Sequence, residues 1–382
     1  MGGVGNDSRP MYPLATGPRQ APTRALLRVL LALCALSGNA ARALDWQVDV
    51  TPAGELFPVL QLSQPPRTVG DGLVSVHVRA EHGLPARLRL RIETPGLRAP
   101  ASVEVTPGAG TTRIDLHPRL DWDVAALREL RSPRRQTLLA ILVADDGRTE
   151  VQRVEVRLHA LDDAPYYVRE SGERVDLGWV FAGYVDPHDP AVDDVLAIAR
   201  TLAPDFDSAP ADRAADRRRV GAIWAALEQH GVRYAAGDPA LSRGPTVWSQ
   251  RVRPPSASWR ERRASCIDGS VLIASALERI GLRALIVLVP GHAFVGFRGH
   301  DGASEFLETT LLGTTAARSG AASTSRYAAA LAAGRARWRR AASRLDGHHA
   351  PDYALLDIGK ARAYGIIAIP TAPGVGGTAR GD

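Results

Sequence analysis

A cysteine, a histidine and a glutamate occur in an order that could carry out acyl transfer. Cys266 stands in "RRASCIDGSV", His292 in "LVPGHAFVGF" and Glu308 in "EFLETT". In that chemistry a thiolate attacks a carbonyl carbon. An imidazole takes the thiol proton and returns it to the leaving amine, and a carboxylate fixes the ring tautomer and stabilises the imidazolium. None of the three is diagnostic alone. A lone cysteine at the head of an apolar helix is commonly a buried thiol, and a lone glutamate on a strand is usually solvated. The elements between them decide whether they meet.

Ser265 occupies an N-cap position, Asp268 follows three residues later as in a capping box, and Gly281 is a stop signal. The pattern predicts a helix over 266–280 with Cys266 in its first turn, where unpaired N–H groups and the helix dipole favour a thiolate. Ile267, Val271, Leu272, Ile273, Ala274, Leu277 and Ile280 make this helix apolar nearly all round, so it is expected to be buried and to hold the thiol rigidly. Such a helix runs about 21 Å. The apolar segment 282–289 covers about 23 Å as a strand. The chain therefore returns level with Cys266 at "PGHAF", bringing His292 to the thiol. "EFLETT" can then pair with "HAFVGF" about Gly299 and His300, which could set Glu308 beside the imidazole.

The rest of the 382 residues supplies the frame. "RALLRVLLALCALSGNAARALD" has a basic start, a short apolar run and an Ala-x-Ala site at 41–43, which predicts a secretory signal peptide over 1–43 and a secreted or periplasmic protein. The run is too short for a stable membrane span. Residues 1–43 hold five arginines against one aspartate, so a net charge of +6 for the whole chain falls to +2 once they are removed. With Lys360 the only lysine and no motif interleaving basic and aromatic residues, nucleic-acid binding is not expected. Removal of Cys34 leaves Cys266 unpaired, which excludes an intramolecular disulfide and flags a reactive thiol.

From 44 to about 161 hydrophobicity alternates with period two, as in "LVSVHVRA", "ARLRLRIE" and "VQRVEVRLHA", with Gly and Pro punctuation. This predicts an all-β, antiparallel sandwich of Ig-like type, with His77, His82, His117 and His159 as solvated strand positions. A linker is expected over 162–177. Beyond it, "PAVDDVLAIARTLAP" and "RRVGAIWAALEQHG" are amphipathic helices, followed by the cysteine helix, several strands, a helix around 324–345 and a last strand near "YALLDIG". An α+β domain is therefore expected over 178–371, ahead of a disordered tail at 372–382. The pair His348 and His349 lacks an acidic cluster, so neither a metal nor another cofactor is expected.

The order "SCIDGSVLIASALERIGL", "LVPGHAFVGF" and "FLETT" resembles the transglutaminase-like superfamily of papain-like cysteine enzymes, in particular its secreted bacterial members. The resemblance covers about 178–370. It implies Cys266 as nucleophile, His292 as general base and Glu308 as orienting acid. "WSQRVRPPSASW" looks like the family's approach to the cysteine, which makes Gln250 a candidate oxyanion donor beside the Cys266 N–H. Asp357, in the closing "LLDIGKARAYGIIAIP", reads as structural. Glutamate stands where the best-studied transglutaminases carry aspartate, and Ile267 where an aromatic residue often follows the nucleophile, which counts against protein crosslinking. The sequence thus leads to an expected multidomain hydrolase, a peptidase or amidase working through a thioester on a protein or peptide, with cell-envelope peptides as candidates. Amine transfer, or a binding module that holds an envelope peptide without turnover, are the alternatives. Arg251, Arg253, Arg260, Arg262 and Arg263 flank the helix start, where they could activate the thiol, bind an anionic substrate or simply be solvated.

Overall fold

Strands whose buried side chains alternate come first in the chain, and helices packed on a four-stranded sheet follow, a mixed α+β architecture. The computed structural model describes residues 44–65, 73–170, 172–236, 246–313, 320–349 and 351–370. The signal peptide expected over 1–43 and the tail expected over 372–382 lie outside the described residues. No helix among the described residues is long and apolar enough to cross a membrane.

The period-two segments form the expected strands. Val74, Val76 and Val78 are buried on Val74–Arg79, as are Leu88, Leu90 and Ile92 on Leu88–Glu93, while the arginines between them face solvent. One sheet orders Asp45–Val50, Val74–Arg79 and Arg113–Leu116. A second orders Glu55–Leu56, Thr149–Leu158, Arg134–Ala144, Leu88–Glu93 and Ala101–Val105. In these two sheets the pairings are antiparallel except that of Glu55–Leu56 with Arg157 and Leu158, which is parallel. The segment expected as a linker is itself strand. Asp163–Glu170, rich in Tyr and Val, pairs with Glu173–Asp176 on one side and Val247–Arg251 on the other. From Leu44 onward the elements pack as one unit around a large apolar core, with a second, small cluster of Leu285, Val287, Phe294 and Phe306 on the four-stranded sheet.

The helices obey their capping signals. Pro190–Leu202 starts from Asp189, and Arg213–His230 starts from Asp212 and ends at Gly231, whose φ of 95° is the left-handed C-cap glycine favours. The cysteine helix, Cys266–Arg279, packs against Arg283–Val289 and the histidine strand, His292–Arg298. That sheet runs Ser304–Leu307, His292–Arg298, Arg283–Val289, Ala354–Asp357 in space, all antiparallel. Asp357 caps the following helix through Lys360 N–H and pairs with Arg283 at 2.9 Å, a structural role.

His159 corrects the sequence reading. It is buried, and its two ring nitrogens meet Asp163 and Glu55, each at 2.6 Å, while its ring stacks on Phe57 at 3.7 Å between centroids. Period-two patterning puts it next to buried Leu158, but the strand has ended there and the chain turns its side chain inward. Burial pulls the imidazole pKa down, yet the bonds to Asp163 and Glu55 outweigh it and raise the pKa above the ordinary 6.5. A raised folded-state pKa means that this stabilisation is complete below the unfolded value and fades as pH rises through the folded one. His159→Leu is expected to cost about 3 kcal/mol by leaving Asp163 and Glu55 without their partner. Urea denaturation should show the gap between native and variant largest at pH 6 and shrinking as the solution is made alkaline.

Candidate active site

The first turn of the cysteine helix is fixed by one buried carboxylate. Ser265 Oγ accepts from Asp268 N–H at 3.3 Å and Asp268 Oδ2 accepts from Ser265 N–H at 3.0 Å, closing the capping box. Asp268 also accepts from the backbone N–H of Arg253 at 2.8 Å and from its guanidinium at 2.9 Å. The loop that leaves the strand Val247–Arg251 is thereby bound to the helix start. Cys266 itself is half-buried and carries a free thiol. Its carbonyl accepts from two hydroxyls, Ser270 at 2.7 Å and Thr309 at 3.1 Å.

His292 opens its strand, and Glu308 directly follows the strand that pairs with it. The register sets Val295 opposite Leu307, so continuing it puts Glu308 two places diagonal from His292 and on the same face. There Nε2 of His292 donates to both carboxylate oxygens, each at 3.0 Å. Glu308 further accepts from Thr310 Oγ1 at 2.8 Å and Thr310 N–H at 3.2 Å, and is paired with the Arg337 guanidinium. The three residues of "ETT" thus do different things. Glu308 holds the imidazole, Thr309 binds the Cys266 carbonyl, and Thr310 holds Glu308. Gly269 makes room for the second of these, since a Cβ there would stand 3.2 Å from Thr309 Cβ. Gly334 does the same for Arg337. It lets the helix Gly320–Ala341 lie against the backbone of Phe306, where a Cβ would meet the carbonyl oxygen head-on.

Burial alone would lower the His292 pKa. The interactions with Cys266 and Glu308 prevail and lift it to about 9. Burial would likewise raise Glu308, but His292 and Thr310 hold it down at about 2. Because Nε2 is committed to the carboxylate, Nδ1 is the nitrogen left for the thiol. The His292–Glu308 pair is charged through the neutral range. Its contribution to stability is lost as pH falls through about 2, where Glu308 protonates, or rises through about 9, where His292 deprotonates.

The structure brings Cys266, His292 and Glu308 together. Gln250 lies on the strand Val247–Arg251 opposite Ala164, and the loop that follows this strand reaches the helix through Arg253. The arginines near the cysteine are largely engaged elsewhere: Arg251 pairs with Asp162 at 3.1 Å, and Arg253 with Asp268 and with Glu261 at 3.4 Å. Together with Arg260 they line a cavity of about 440 Å³ whose walls include Leu127, Tyr184 and Ile369 but none of Cys266, His292 and Glu308. Three residues escaped the sequence reading: Asp268 as an anchor for Arg253, Arg337, and Tyr234, whose phenol lies in the electrostatic reach of both Cys266 and Glu308. The capping-box pattern was the one signal available for the first. Among the described residues no group of three or more His, Cys, Asp or Glu side chains is arranged to hold a metal ion. No protein-family model matches the chain, and no curated protein matches it.

Glu308→Gln removes the charge that holds His292 protonated while keeping the side chain's size. Ring titration by NMR on histidine-labelled protein is expected to move the His292 midpoint down from about 9 by at least one unit. An unmoved midpoint would show that Glu308 does not set it.

Proposed function

We propose that the chain is a cysteine-dependent hydrolase of peptide or carboxamide bonds that works through a thioester. The observation that carries this reading is the imidazole of His292, bound through Nε2 to Glu308 with Cys266 as its other neighbour at a helix start. An imidazole so held is oriented, keeps one nitrogen for the thiol and is favoured in the charged form that a departing amine needs.

In this reading the thiol proton already rests on His292 as imidazolium, and the Cys266 thiolate sulfur bonds to the carbonyl carbon, moving an electron pair onto its oxygen. The backbone N–H of Cys266, with Gln250 as a second donor, stabilises that oxyanion. Collapse breaks the C–N bond as His292 protonates the amine, leaving a thioester. Water, deprotonated by the imidazole, then attacks the thioester, and the acid leaves as the thiol is restored. Water is the preferred acceptor because an amine would need a binding site of its own. The same reading takes the second half of the chain as a papain-like, transglutaminase-like domain and the first as an Ig-like sandwich that docks or positions a peptide. It takes the protein to act outside the cytoplasm, on peptides of the cell envelope.

Two experiments test it. Alkylation of Cys266 by iodoacetamide at neutral pH should slow about ten-fold or more in His292→Ala, since the imidazolium no longer supports the thiolate. A rate that does not change between the two would point to a binding module without turnover. Incubation with a glutamine-containing peptide and a primary amine, followed by mass spectrometry, should give hydrolysed product that Cys266→Ser abolishes. Amine adducts without hydrolysis would assign amine transfer instead.

A further inference from the structure

Tyr234 is tied on both sides to segments that carry the candidate site. Its short strand, Arg233–Tyr234, runs parallel to Arg263–Ala264 with Tyr234 opposite Ala264, two residues before Cys266. Ala235 N–H donates to the Ala264 carbonyl at 2.9 Å, and Tyr234 N–H donates to Leu312, four residues after Glu308, also at 2.9 Å. The second tie is close. At Gly313, with φ of 66°, an added Cβ would lie 2.6 Å from the carbonyl oxygen of Val232. Backbone held this firmly fixes where the side chain starts, yet the residue is 37% exposed, and both Cys266 and Glu308 act electrostatically on its phenol. A ring partly open to solvent, on a strand paired with the segment that leads into Cys266, is placed to meet whatever approaches the thiol.

We propose that Tyr234 contacts the substrate of the Cys266 site, its ring forming one wall of the approach to the thiol and its hydroxyl donating a hydrogen bond to a main-chain carbonyl of a bound peptide. The proposal rests on the reading of Cys266 as nucleophile and names a residue that binds its substrate. The phenol is suited to donation because burial, with smaller contributions from Cys266 and Glu308, raises its pKa above the ordinary 10.0, so it stays a neutral donor through the neutral range. A peptide carbonyl, itself a neutral acceptor, is the complement of a phenol that stays a neutral donor.

The test uses two thiol reagents on the full chain: iodoacetamide, too small to need a binding contact, and a peptidyl chloromethyl ketone, which must seat a peptide first. Tyr234→Phe keeps the ring and removes the hydroxyl. It is expected to leave the iodoacetamide rate within about two-fold and to slow the peptidyl reagent about ten-fold, the effect of one lost hydrogen bond. Tyr234→Ala, which also removes the wall, should slow the peptidyl reagent at least as much. Wild-type rates with both reagents in both variants would overturn the proposal while leaving the nucleophile intact. An iodoacetamide rate in the native protein equal to that of His292→Ala, or a native protein inert to the peptidyl reagent, would instead remove the reading on which the proposal stands.

Discussion

A carboxylate withdrawn from water keeps its charge only when donors surround it, and the site around Cys266 is built on meeting that demand for Glu308. Its partners come from three segments: His292 from the neighbouring strand, Thr310 from the turn that follows, and Arg337 from the helix Gly320–Ala341. Remove the charge and each of these loses a reason for its position. Thr309 carries the constraint one step further. It is fixed between two residues held by this network and bonds the Cys266 carbonyl, so the imidazole and the backbone of Cys266 are referred to the same turn. The glycines at 269 and 334 belong to this arrangement as well, because their missing side chains allow the helices to come close enough for Thr309 and Arg337 to reach.

A second buried carboxylate, Asp268, secures the other side of the thiol. Its oxygens serve the Ser265 N–H within the cap and the Arg253 backbone and guanidinium outside it. A capping box in an isolated helix satisfies local donors and is worth about a kcal/mol. Here the same residue also joins the cysteine helix to the strand Val247–Arg251, which in turn pairs with the strand leading out of the first half of the chain. Whatever settles on that strand is thereby kept in a fixed relation to Cys266. Arg253 balances the charge that Asp268 places beside the helix start.

Much of this was legible in the sequence because it depends on local rules. Ser265, Asp268 and Gly281 announce a helix by chemistry that acts within four residues, and strand length follows from the apolar run, so the return of His292 to Cys266 could be worked out by counting. The approximate symmetry about Gly299 and His300 gave the hairpin, and the observed register makes Glu308 a diagonal neighbour of His292. What stayed hidden depends on contacts distant in sequence. Arg337 reaches Glu308 only because Gly334 lets one particular helix turn touch the strand, and Tyr234 arrives through a two-residue parallel pairing that leaves no periodic trace. The burial of His159 was missed because alternation describes a strand, while its side chain is turned in by Asp163 and Glu55, which lie 4 and 104 residues away along the chain.

His159 and His292 together show why burial and a raised pKa are not enough to mark a working base. Both rings are largely withdrawn from water and both are held by carboxylates. At His159 the two nitrogens are each taken by an acid at 2.6 Å and one ring face is covered by Phe57, so a proton placed there has nowhere to go and the charge serves only to join segments. At His292 a single carboxylate engages one nitrogen and the other neighbour is a thiol, a group that can itself lose and regain a proton. The two arrangements thus differ in one partner. Where His159 meets a second acid, His292 meets a thiol, and this exchange of a carboxylate for Cys266 is what the proposed acyl-transfer reading rests on.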